Sequence, residues 1–92
     1  MGIGNNNNNN LYHGTIYFPD GSPVPELLTE QETIYFLRLD VDGPMYPEKT
    51  LQHYRQEGLL RPTQVGRKLR YTKTELLRFL EEQTNRTEKN IS

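Results

Sequence analysis

Lys49, Gln52, His53 and Gln56 recur at steps of three and four residues, so on a helix they form one stripe of long hydrogen-bonding side chains. A glutamine amide donates and accepts at once, which suits the adenine edge. Lysine or histidine can donate to guanine N7 or O6, or to a phosphate. Shortly after, the stretch VGRKLRY, Val65–Tyr71, places Arg67, Lys68 and Arg70 within seven residues. Cations this close suit backbone phosphate or an adjacent minor groove. Arg61, just after the stripe, could clamp another phosphate. A plainer reading stands beside this one, because a basic face is usually only a solvated face. It fits Lys68 and Arg70 least well, since a strand side made only of cations is expensive to leave without an anion.

Each of these groups needs an element to hold it. Pro47 suits the first turn of a helix, because its missing N–H would have been unpaired anyway, and Gly58 is the expected C-terminal cap. Leu51, Tyr54 and the stem of Arg55 fall opposite the polar stripe and form the packing side. Leu59 and Leu60 then return the chain to the core. Arg61–Val65 and Lys68–Tyr71 read as two short strands around a two-residue Gly66–Arg67 loop, with Pro62 confining the first of them to an edge. In the second strand Leu69 and Tyr71 point one way, Lys68 and Arg70 the other.

Two further helices flank this unit. Thr29 with Glu32, and Thr72 with Glu75, have the spacing of a capping box. The first predicts a helix with Ile34, Leu37 and Phe36 on its apolar side, running to about Leu39. The second predicts an amphipathic helix through Leu76, Leu77, Phe79 and Leu80, with a flexible tail over 84–92. DVDGP, Asp40–Pro44, stops the first helix. Asp40 and Asp42 are better explained as turn formers than as a catalytic or calcium-binding pair. Before all this come a polar start with the Asn5–Asn10 tract (1–10), expected to be disordered, and an arm or short strand with a Pro-rich connector (11–26). Tyr12, Tyr17 and Phe18 could stack bases, but an accessory strand packed on the head needs no ligand and is preferred.

The charge is sorted along the chain. Residues 1–43 hold one cation, Arg38, against six carboxylates, a net of −5; residues 44–80 hold eight cations against three carboxylates, a net of +5. The whole-chain net of −1 conceals a basic middle segment. With 92 residues, 33% of them hydrophobic, the chain is one small domain at most. It holds no cysteine and only two histidines, His13 and His53, without a helical partner, so neither a metal nor another cofactor is expected. No nucleophile with a base partner, P-loop or dinucleotide fingerprint occurs, so no enzymatic activity is expected. No apolar run approaches a membrane span.

Helix, turn, helix, hairpin and helix within about fifty-five residues is the order of a winged helix-turn-helix, a mainly α fold with a small β hairpin. TLQHYRQEGLLRP, Thr50–Pro62, resembles the second helix and exit turn of the MerR family of DNA-binding regulators. LRYTKTELLRFL resembles the end of that family's wing and its next helix. LLTEQETIYFL, taken with VGRKLRYTKTELLRFLEE, is equally similar to excisionase-type proteins, compact relatives that carry only the DNA-binding head. The resemblance spans roughly Leu27–Glu82 and is most specific over Thr50–Leu77. It implies a domain over 27–83 that binds double-stranded DNA in a regulator or a recombination directionality factor. The reading helix would comprise Glu48, Lys49, Gln52, His53 and Gln56, and the wing contacts Arg67, Lys68 and Arg70. It further implies a cytoplasmic, nucleoid-associated protein and a need for a second copy or an integrase. Two departures stand out. The Asp40–Tyr46 connection is longer than the family's usual turn, and no counterpart of a long dimerisation helix or effector domain is expected. The alternative is a protein-interaction module on the same scaffold.

Overall fold

A computed structural model describes residues 15–41 and 45–91, the last three by backbone only. The Asn tract, Tyr12, His13 and Asp42–Pro44 lie outside the described residues. Six elements follow in order: β1 (Leu27–Leu28), α1 (Glu30–Phe36), α2 (Pro47–Gln56), β2 (Thr63–Val65), β3 (Lys68–Thr72) and α3 (Lys73–Ile91). The three strands make one antiparallel sheet in the order β1-β3-β2. The wing expected as a two-stranded hairpin therefore gains a third strand, with Leu27 opposite Thr72 and Leu28 opposite Tyr71. No helix among the described residues is long and apolar enough to cross a membrane.

Local chemistry accounts for most boundaries. At α1 the capping box is complete: Glu32 N–H donates to Thr29 Oγ1 at 3.1 Å, and Thr29 N–H donates to Glu32 Oε1 at 2.9 Å. The helix ends at Phe36, three residues before the expected Leu39. Leu39 N–H instead reaches back to Ile34 O and Arg38 N–H to Tyr35 O, the paired bonds of a Schellman motif. That motif forces Arg38 to a φ of +62°, where an L side chain is strained. α2 stops in the same way, with Leu59 N–H on Tyr54 O and Gly58 N–H on Arg55 O, but there the left-handed position is a glycine at φ +74°. Arg38→Gly is thus expected to stabilise the domain by up to about 1 kcal/mol. A thermal melt should rise by a few degrees, roughly 4 °C; an unchanged or lower midpoint would show that Arg38 carries a contact offsetting its strain.

The segment expected as an arm and connector contributes to the same core. Phe18 and Val24 are buried with Leu28, Ile34, Leu51, Leu60, Tyr71, Leu76 and Phe79. Phe18 stacks on Tyr35 with ring centroids 5.5 Å apart and meets Phe36 edge-on at 6.5 Å, so it is no platform for a base. Pro19, Asp20 and Gly21 close a tight loop, in which Gly21 N–H donates to Phe18 O and Gly21 takes φ +91°. Asp20 Oδ1 accepts from Ser22 N–H and Ser22 Oγ, and those bonds hold its carboxyl below the usual range.

The last helix departs from expectation at both ends. Thr72 caps it, accepting from Glu75 N–H at 3.0 Å. The return half of that capping box is missing among the described bonds, because the Glu75 carboxylate is drawn elsewhere. It accepts from Arg78 Nε (2.9 Å) and Nη2 (2.6 Å) and from Arg61 N–H (2.9 Å), while Arg78 Nη2 also donates to Leu59 O. At the other end α3 continues to Ile91 rather than giving way at residue 84. No Gly or Pro interrupts 73–91, and Thr84 and Thr87 bond back to the carbonyls of Leu80 and Gln83.

The Glu75 clamp ties α3 to the chain leaving α2. The Arg78 guanidinium holds the Glu75 carboxyl below the ordinary carboxylate range. A depressed folded-state value contributes stability that is present above the ordinary glutamate range and lost as pH falls through the folded value. Glu75→Gln should therefore cost on the order of 1–2 kcal/mol at neutral pH and progressively less in acid. Urea titrations of both proteins across the acid range check this; a pH-independent difference would assign the effect to packing.

Candidate nucleic-acid interface

Leu51 is the one fully buried residue of α2, and Tyr54 and Arg55 beside it are half-buried. Glu48, Lys49, Gln52, His53 and Gln56 are all exposed. The helix thus has the two sides its spacing predicts. Gly66 takes the positive φ (+62°) that a two-residue loop needs at its first position, and Val65 pairs with Lys68 across it. Arg67 and Lys68 stand exposed at the tip, and Arg70 is half-buried behind them. Tyr71 is fully buried.

The basic segment divides by what its cations touch. Lys73 pairs with Glu26 at 3.2 Å, Arg78 with Glu75 at 2.6 Å, and Arg55 with Glu30 at 3.5 Å. Arg55 also donates to the hydroxyl of buried Tyr71 at 2.7 Å. These three hold elements together. The other five cations of residues 44–80 are Lys49, Arg61, Arg67, Lys68 and Arg70. None has a carboxylate within ion-pair distance among the described residues. They are the five lysines and arginines that the sequence offers for contact with DNA bases or phosphates.

Geometry gathers them unevenly. Arg67, Lys68 and Arg70 line one open cleft of about 470 Å³, together with Thr29, Glu30, Gln31, Leu69 and Arg55. Four cations face one carboxylate there, so the cleft has a positive potential. Gln31, on its wall, donates to Glu48 at 3.3 Å, which places the start of α2 beside the cleft. Lys49 and His53 line a separate shallow groove with Met45, Tyr46 and Thr50. Arg61 lies apart from both, its N–H held by Glu75 and its side chain exposed. Gln52 and Gln56 line neither hollow. Sequence spacing does not single out Gln31, Glu30, Met45 or Tyr46; only the packing of α1 against the sheet and α2 brings them to these sites.

Three helices with a small antiparallel sheet, one helix presenting a polar stripe and one hairpin presenting cations, make up a winged helix-turn-helix unit of mainly α class. Residues 46–84 match the family model described as a helix-turn-helix domain, a span that covers α2, the wing hairpin and most of α3. Neither a curated protein nor a solved structure matches the chain.

Proposed function

We propose that this protein binds double-stranded DNA sequence-specifically, as a small excisionase- or MerR-like regulator or recombination directionality factor without enzymatic activity. The observation that carries this reading is the division of cations. Three are consumed by internal ion pairs, and the five left over stand on α2, the wing and the turn between them. In this reading α2 lies in the major groove, where Gln52 and Gln56 meet adenine edges and Lys49 and His53 meet guanine or phosphate. Arg61, Arg67, Lys68 and Arg70 hold the phosphate backbone and set affinity rather than sequence. A single head of this size binds weakly, so a second copy or an integrase at an adjacent site supplies the remaining affinity. Such a protein works in the cytoplasm at the nucleoid.

Fluorescence titration with random duplex at low and moderate salt tests the class. Four phosphate contacts predict a log K against log salt slope of roughly −3.6. Absence of salt-sensitive binding at micromolar protein would move the assignment to an interaction module. On a selected site, Gln52→Ala should relax preference at one base pair and cost about 1–3 kcal/mol there. A uniform loss across all sequences would remove Gln52 from the readout.

A further inference from the structure

The start of α2 is built against local stability. An N-cap residue is favoured when its short side chain can accept from a free amide of the first turn, as Thr29 and Thr72 do for the other two helices. α2 has Tyr46 there, with no side-chain cap bond. Met45 beside it is 84% exposed and Tyr46 59% exposed, the two most exposed large apolar side chains among the described residues. Positions that break a local rule without repaying it in stability tend to be functional. Tyr46 is also held in place, since Lys49 Nζ sits 5.7 Å from its ring centroid. The result is a groove of about 290 Å³ between Met45, Tyr46 and Thr50, with Lys49 and His53 at its edge.

We infer that this groove takes the 5-methyl group of a thymine, with Lys49 or His53 donating to the neighbouring O4. The inference rests on the DNA-binding reading above and names the base that α2 prefers. Thymine is the one ordinary base that shows a methyl group beside an acceptor in the major groove; guanine shows two acceptors, and cytosine a donor. The donors alone would also suit guanine's two acceptors, and it is the apolar wall of Met45 and Tyr46 beside them that favours a methyl group. Its place fits as well, because the N-terminal residues of a groove-docked helix are the ones that reach base edges. A folded protein partner fits poorly. Specific protein interfaces bury about 800 Å² per partner, far more than Met45, Tyr46 and their neighbours present.

The experiment starts from a site selected on random duplexes and replaces its thymines one at a time with deoxyuridine, which removes only the methyl. One such replacement should weaken the wild-type protein roughly fourfold, the effect of burying one methyl group. Met45→Ala and Tyr46→Ser should bind the thymine and uracil duplexes equally. Tyr46→Ser should keep or raise the melting temperature, since it restores a capping side chain, so its lost discrimination cannot come from unfolding. Salt-sensitive, sequence-selective binding in which no thymine is methyl-sensitive overturns the inference and leaves DNA binding intact. Full methyl discrimination in both variants also overturns it. Self-association lost in both variants, with no methyl effect, would give the groove to a second copy instead. Failure to bind random duplex even at low salt overturns the DNA reading and this one together.

Discussion

Leu51→Ala should cost about 3–4 kcal/mol and leave the protein folded with only a narrow margin. Leu51 is completely buried and sits in one cluster with Leu28, Ile34, Leu60, Tyr71, Leu76 and Phe79. It is also the only fully buried side chain that α2 contributes. The remaining ties of that helix are weaker: Tyr54 tilts against Phe79 at 5.1 Å, and Arg55 holds the Tyr71 hydroxyl. A ten-residue helix is too short to persist in water once undocked. A chain of this size has in total roughly 5–10 kcal/mol to lose, so one core methyl cluster is a large share of it. Urea unfolding followed by circular dichroism should show a lower midpoint with an unchanged slope. A loss below about 1 kcal/mol would mean that the core closes around the smaller side chain, and that α2 is held by its polar ties instead.

That dependence on one residue explains what the sequence reveals and what it hides. α2 was legible because Leu51 and Tyr54 on one side, and Lys49, Gln52, His53 and Gln56 on the other, fall at helical spacing between Pro47 and Gly58. The wing was legible because Gly66 precedes Arg67 at a two-residue turn. Each signal is local. The features that escaped depend on distant partners. β1 is two residues long, too short for any periodicity, and exists because β3 offers it an open edge. The Thr72–Glu75 box closes only halfway, because Arg78 and the Arg61 N–H compete for the same carboxylate. The Schellman turn at Arg38 lacks the glycine that marks its counterpart at Gly58. Of the candidate site, the basic residues and their exposure were legible one by one. The cleft that gathers three of them was not, since its other wall comes from Thr29, Glu30 and Gln31, nearly forty residues earlier.

The combined variant Arg67→Ala, Lys68→Ala, Arg70→Ala should lose on the order of a hundredfold in affinity for random duplex at low salt. That follows from about 1 kcal/mol for each of three charged contacts to phosphate. The salt slope should flatten by roughly 2.7, at 0.9 for each phosphate released. The fold should survive, because Arg67 and Lys68 are exposed and, among the described residues, Arg70 makes only a 3.3 Å bond to the Leu69 carbonyl. Arg55, in the same cleft, is not a clean probe. Removing it strands the buried Tyr71 hydroxyl and frees Glu30 at once. The comparison that decides is with Gln52→Ala, which should leave the slope alone and alter preference only. If the triple variant keeps both slope and affinity, the wing is not the phosphate clamp. Binding would then rest on Lys49 and Arg61, and the cleft beside α1 would need an anion of a different kind to account for three cations that have no ion-pair partner among the described residues.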